Sequence, residues 1–315
     1  MNKRGDLQMS FGWLFALIAG AFILFLAIYV TVKIIGTSEE EIDTETAAQI
    51  GVLLNPLETG YEDIISTPLE NFKQETRITN ECDEGDEIDE FGSQGIKASR
   101  KSFGGKWTDS INTVYFKNKY LFSRENVEGK KFYLLSSGLH YPFKVGSVIV
   151  LTSADRTYCF FDAPEEVQLE IENIQKNIEV ANCSDESIKI CFEKRSNCDI
   201  YVEYDKGLGF VEKKGEEERL FFSQNSLMYG AIFSDEKIYE CQVKRLMNRV
   251  KILSQIYIEK ANFVEQKDCN SNVNTELEIL KLAIDDFQNS EDIILIDRLV
   301  KEAQNKNQNP ICKIW

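Results

Sequence analysis

Histidine is almost absent: the 315 residues include one, His140. That scarcity removes most familiar hydrolytic chemistry, because a Ser-His-Asp or Cys-His mechanism would have to run through His140. It stands in Gly138-Leu139-His140-Tyr141-Pro142-Phe143 and reads as a packed or turn residue. No G-x-S-x-G elbow and no H-E-x-x-H helix occurs. Phe103-Gly104-Gly105-Lys106-Trp107 has glycine and lysine without the spacing of a phosphate-binding loop. Cys-x-x-Cys is missing too, so a structural zinc site lacks its usual ligands. The densest acidic run, Glu81 to Glu90, has oxygen ligands for a hard cation but not the D-x-[DN]-x-[DN]-G pattern, and reads as a solvated acidic loop. No catalytic, cofactor-binding or metal residue is assigned, and the chain reads as non-enzymatic.

Positive charge is also short. Lysine and arginine total 36 against 52 acids, a net charge of −16. Such a field repels nucleic acid and anionic headgroups, which excludes a nucleic-acid partner. The abundance of acids makes some carboxylate pair inevitable and any particular pair uninformative.

What the chain does have is an unbroken apolar run from Phe11 to Val32, with no charged residue between Asp6 and Lys33. As a helix its 22 residues cover about 33 Å, close to the ~30 Å hydrocarbon core of a bilayer. A helix also bonds its own backbone within lipid. Trp13 and Tyr29 sit where the headgroup zones would be. The apolar part of a cleavable secretory signal usually runs ~7–15 residues. The longer run here favours a retained anchor, with the lipid bilayer as its partner. Lys3 and Arg4 precede the run. Lys33 and then Glu39, Glu40, Glu41, Asp43 and Glu45 follow it. The positive-inside tendency puts the N-terminus in the cytoplasm and the bulk of the chain outside.

All eight cysteines follow the run, and disulfides persist in extracytoplasmic compartments. Eight cysteines allow 105 pairings, so spacing alone does not fix them. One sequon, Asn182-Cys183-Ser184, fits an exported domain.

The rest of the chain predicts an α+β fold. Residues 1–10 form the cytoplasmic N-terminus and 11–35 a transmembrane helix. A helical stalk and acidic loop span 36–100, with Gly36 separating the stalk from the membrane helix and Ser38 and Glu41 as a capping box. A β-rich, mixed or antiparallel extracytoplasmic domain spans 101–236. Its strands are expected at Thr113–Phe116, Lys131–Leu135, Val145–Leu151, Thr157–Phe161, Ile188–Phe192, Ile200–Tyr204, Gly209–Val211 and Met228–Phe233. Turn signals at Ser137-Gly138, Ser153-Ala154-Asp155, Asp205-Lys206-Gly207 and Lys214-Gly215 punctuate them. Asp162 as a cap before Pro164, Glu165 and Glu166 tips the next stretch to a helix.

Residues 237–315 read as an antiparallel helical hairpin. Leu246, Val250, Leu253, Tyr257, Ala261 and Val264 mark the first arm. A capping box at Thr275 opens the second arm, which restarts at Ser290. Antiparallel packing would bring Cys241, at the start of the first arm, to Cys312, past the end of the second. A second pairing, Cys191 with Cys198, would cross a short turn between strands.

Lys3-Arg4-Gly5-Asp6-Leu7 before a long apolar helix resembles the class III (prepilin-type) signals of archaeal pilin-like proteins. The resemblance covers about the first thirty residues. It implies cleavage between Gly5 and Asp6 and an apolar helix that becomes a filament core. Ser10 stands where many pilins carry Glu, a departure from the pattern. The Lys3–Ser10 start, the Leu227–Ser234 segment and Tyr239-Glu240-Cys241-Gln242 before a basic amphipathic helix also resemble uncharacterised archaeal single-pass membrane proteins. The expectation is an anchored, non-enzymatic cell-surface structural or interaction protein, a pilin-like subunit in one form, with membrane or surface protein partners or self-assembly. The alternatives are an anchored extracytoplasmic ligand-binding module and a carboxylate-dependent hydrolase.

Overall fold

The computed structural model describes residues 11–54, 64–69, 72–85, 91–102, 104–108, 112–172, 174–181, 183–269, 271–308 and 312–315. Gly5, Asp6, the second half of the acidic run (86–90), Asn182 and Pro310 lie outside the described residues. Within them the protein is α+β, with an apolar N-terminal helix, mixed and antiparallel sheets and C-terminal helices.

Helix α1 is continuous from Phe11–Leu53 and runs through Gly36, which does not break it. The separate stalk helix expected after Gly36 is therefore a continuation of the apolar helix. The region 65–100, expected as stalk and acidic loop, holds three strands: β1 (Ile65–Leu69), β2 (Thr76–Asp83) and β3 (Ser93–Arg100). Then come β4 (Val114–Phe116), β5 (Tyr120–Phe122), β6 (Asn126–Gly129), β7 (Phe132–His140), β8 (Lys144–Ser153) and β9 (Tyr158–Phe161). Ser137-Gly138 lies inside β7 rather than in a turn. Helix α2 (Glu165–Ile171) follows, and its cap is Pro164 rather than Asp162. The remaining strands are β10 (Ile178–Val180), β11 (Ile188–Cys191), β12 (Ile200–Asp205), β13 (Leu208–Lys213) and β14 (Leu220–Ser223). Lys206 and Gly207 join β12 to β13 with φ of 50° and 83°. That is the left-handed pair a two-residue hairpin turn requires.

Three sheets result, in the orders β4-β3-β2-β6, β1-β7-β8-β5 and β10-β9-β11-β12-β13-β14. The first is wholly antiparallel, while the other two mix both senses. One hydrophobic cluster joins α1 (Ala47, Ile50) and Leu54 just past its end, the first sheet (Ile78, Ile96, Ala98) and one face of the second (Phe132, Leu134, Ile149, Leu151). The opposite face of the second sheet, with Val148 and Val150, belongs to a larger cluster shared with the third sheet and the C-terminal helices. The second sheet is thus the partition between two cores.

The segment expected as a strand at Met228–Phe233 is helix α3 (Gln224–Phe233). Its residues from Ser226 to Phe233 are all buried, so its apolar run surrounds the helix and gives no periodicity to read. Helix α4 (Glu236–Glu265) follows, then α5 (Asn274–Asp285), a 3₁₀ turn (Ser290–Asp292) and α6 (Ile293–Lys306). Asn274 bonds Asn262, Lys281 bonds Gln255, and Lys251 pairs with Asp285, so α5 runs back along α4. Lys306 near the end of α6 pairs with Glu276 at the start of α5, so α6 turns back again. The C-terminal region therefore has three arms instead of two.

That third arm corrects the expected Cys241–Cys312 bridge. It returns the chain to the far end of α4, where Lys260 donates to the Ile314 carbonyl and Trp315 packs edge-on to Tyr257. Cys312 there bonds Cys269, and Cys241 at the other end of α4 bonds Cys82. The other pairs are Cys159–Cys183 and Cys191–Cys198. Four disulfides fit an oxidising, extracytoplasmic compartment.

Candidate functional site

The two halves of α1 have opposite surroundings. From Gly12 to Thr31 none of the helix is buried in the protein, and it is long and apolar enough to cross a membrane. Phe15 and Phe25 are 68% and 65% exposed. Further along the same helix Ala47 and Ile50, with Leu54 just past its end, are enclosed, packed on β3 and β4. A helix buried in a soluble core would bury its apolar run, and this one does not.

Docking depends on a residue with no side chain. A Cβ built on Gly51 would lie 1.8 Å from Cζ of Phe116. Glycine costs a helix interior about 1 kcal/mol relative to alanine. Here it lets α1 approach the β4 ring closely. The signal was present in the sequence as a glycine inside a helical pattern, but it does not reveal its contact.

The sheet that receives α1 is tied to α4 by a polar node. The amide of Gln94 on β3 accepts from Gln242 of α4 and donates to Asn80 on β2. Asn80 donates in turn to the Leu121 carbonyl and Ser123. Arg245, one turn along α4, is fully buried. Its guanidinium donates to the carbonyls of Phe91, Lys117 and Lys119 and to Gln242 Oε1. It also lies over the Tyr120 ring at 5.0 Å. These described acceptors are neutral dipoles held in place, which helps a buried cation keep its solvation. The Cys82–Cys241 bridge sits beside this node, with Lys244 paired to Glu84 on the outside.

Carboxylates elsewhere are engaged structurally. On α2, Glu170 accepts from Tyr229 and Asn225, and Glu166 accepts from Tyr204. Burial first, and then the neighbouring carboxylates, push both phenols above their ordinary range. The network closes on itself and ties α2 to β12 and α3. Glu240 accepts the Ser290 N–H and hydroxyl, capping the 3₁₀ turn, and burial raises its carboxyl. His140 takes part through its backbone: its N–H donates to the Gln224 side chain, whose amide donates back to its carbonyl. That bracket holds Gln224 at φ 72°, between β14 and α3. Among the described residues the His140 ring has no hydrogen-bonded carboxylate, and no cluster of three metal-ligating side chains occurs.

Clefts are modest. One of about 150 Å³ lies between the β8–β9 turn and the end of α3, lined by Arg156, Asp199, Lys213 and Glu216. Lys213 there donates to the Ser234 carbonyl that ends α3, and burial lowers its ammonium. Tyr158 beside it is pushed up to about 12, chiefly by burial.

No protein-family model, curated protein or solved structure matches this chain. The fold and the junction thus define an α+β protein that carries a bare apolar helix docked at its other end.

Proposed function

We propose that the chain is a non-enzymatic, membrane-anchored surface protein of pilin-like build. Its N-terminus is cytoplasmic, its disulfide-bonded domain lies outside, and α1 is both lipid anchor and assembly element. One observation carries this reading: a single helix is bare and apolar over Gly12–Thr31 and enclosed by the domain at Ala47, Ile50 and Leu54. The bare half needs lipid or other apolar helices around it. A cut at the outer end of the span, as for a secretory signal, would divide a continuous helix. Cleavage between Gly5 and Asp6 leaves it whole. The helix is also rigidly continuous with the domain, so a copy held by its span is held in orientation.

N-terminal sequencing of protein purified from membranes tests this. The expected first residue is Asp6. A start at Met1 or Asn2 eliminates the pilin-like form and leaves a plain anchor. A start beyond Val32 overturns the anchor as well. Impermeant maleimide on intact cells tests topology: labelling should require prior reduction, and labelling only after lysis would reverse the orientation.

A further inference from the structure

A groove of about 550 Å³ opens between β1, β7 and the segment leading into β10. That is within the size range of small-ligand sites. Among the described residues its wall carries two ammonium groups, Lys131 and Lys176, and no carboxylate. Three other clefts each include acids: Asp199, Glu216 and Asp235 in one, Asp155, Asp185 and Glu186 in a second, Glu125 and Glu128 in a third. A recess whose described charges are both positive stands out on a chain of net charge −16. Among the described residues neither lysine has an ion pair, and the Lys131 ammonium lies 5.2 Å from the Tyr133 ring centre.

A second observation is independent of charge. Gln175 lines the groove and is 7% exposed, yet its amide nitrogen has no hydrogen-bond partner. Its oxygen accepts from Ser66 at 3.3 Å. Turning the amide over would pair the nitrogen with Ser66 and orphan the oxygen, so one end stays unsatisfied either way. An unmet buried polar group is costly, and native proteins carry few without a reason. Ile174 and Pro68 add an apolar wall.

We propose that this groove binds a small solute bearing an oxyanion, a carboxylate or a phosphate. Lys131 and Lys176 supply the charge, Gln175 the hydrogen bond, and Ile174 and Pro68 contact with a short carbon chain. The site requires nothing of α1 and stands whether or not the chain assembles.

The test is calorimetric titration of the full chain in nanodiscs of neutral lipid with glutarate, inorganic phosphate and pentane-1,5-diol. At least one anion should saturate, and the diol, which has the glutarate skeleton without its charge, should not. Glutarate alone saturating assigns a carboxylate, phosphate alone a phosphate. Lys131→Met and Lys176→Met, which keep the aliphatic stems, should each weaken the anion about tenfold. Gln175→Leu should weaken it while leaving the thermal midpoint unchanged or higher, because it removes an unpaired amide. The proposal fails if neither anion saturates by about 20 mM. It also fails if the diol binds as well as glutarate, or if the double Lys131→Met, Lys176→Met variant binds like the parent while melting normally.

Discussion

The Cys82–Cys241 bridge closes the longest loop in the protein, and its removal is the most demanding check on the fold. The four bridges span sequence separations of 159, 43, 24 and 7 residues for Cys82–Cys241, Cys269–Cys312, Cys159–Cys183 and Cys191–Cys198. Loop-closure entropy makes them worth about 5, about 4, about 3.5 and about 2.4 kcal/mol respectively. Two of the smaller loops lie inside the largest and shorten its free length, which lowers its value by only ~0.2 kcal/mol. The native state offers little compensation, because Cys241 is 4% exposed beside the Gln94–Gln242 node. Alanine at both Cys82 and Cys241 avoids burying an unpaired hydroxyl. The full chain in detergent would be melted with near-ultraviolet circular dichroism as the signal. A difference of ~2.4 kcal/mol on a chain of this size corresponds to a shift of roughly 5–10 °C. The Cys82→Ala, Cys241→Ala protein should therefore melt that far below the Cys191→Ala, Cys198→Ala protein. Equal midpoints, or the reverse order, would refute the loop argument and mean that Cys82 and Cys241 are held together regardless of their bond.

Gly51→Ala is informative through its sign. Helix propensity alone predicts a gain of about 1 kcal/mol, while the 1.8 Å approach to Phe116 predicts a loss of about 1–3 kcal/mol. The loss should appear in chemical denaturation and be largely restored by adding Phe116→Leu; a stabilised single variant would mean α1 does not dock there. Glu240 gives a pH signature. Its carboxyl is raised above the ordinary 4.5, chiefly by burial and against the Ser290 hydrogen bonds. The folded protein then holds that proton more tightly than the unfolded chain. The group's contribution to stability is full below 4.5 and declines as pH rises through the raised value. The stability difference between parent and Glu240→Gln should therefore move against the parent as pH rises above 4.5, and a difference independent of pH would contradict it.

The sequence showed the apolar helix plainly but not its dock. Most strands between Val114 and Lys213 could be read because β-branched and aromatic residues alternate between turn signals. The strands β2 and β3 could not. Their inward positions include Asn80 and Gln94 as well as Ile78, Ile96 and Ala98, so the apolar alternation is interrupted where the polar node sits. Those two amides look like surface residues until Gln242 and Arg245 arrive from more than a hundred positions away. Helix α3 failed for the opposite reason, being apolar on every side. The Cys241 pairing failed on parity: two arms return a chain to its origin, and three carry it to the far end. The reversal after α5 depends on Ser290 meeting Glu240 and on Asn289 accepting from the Glu291 N–H, contacts too local and too polar to announce a change of direction.

Parity also gives α4 its mechanical place. The helix has 30 residues and so runs about 45 Å. Cys241 near its first turn is bonded to the sheet that holds α1, and Cys269 just past its last turn is bonded to the C-terminal tail. It is therefore pinned covalently at both ends, with Gln242 and Arg245 adding a non-covalent hold at the first. Tension applied through α1 passes from Ile50 and Leu54 into β3 and β4, across to β2, and through Cys82 into the start of α4. Without that bond the same load would rest on the buried amides and on hydrophobic contacts. Hydrogen bonds contribute only about 0.5–1.5 kcal/mol each in net terms. In the proposed surface protein, the longest-range disulfide thus lies where the anchor's load enters the body of the domain.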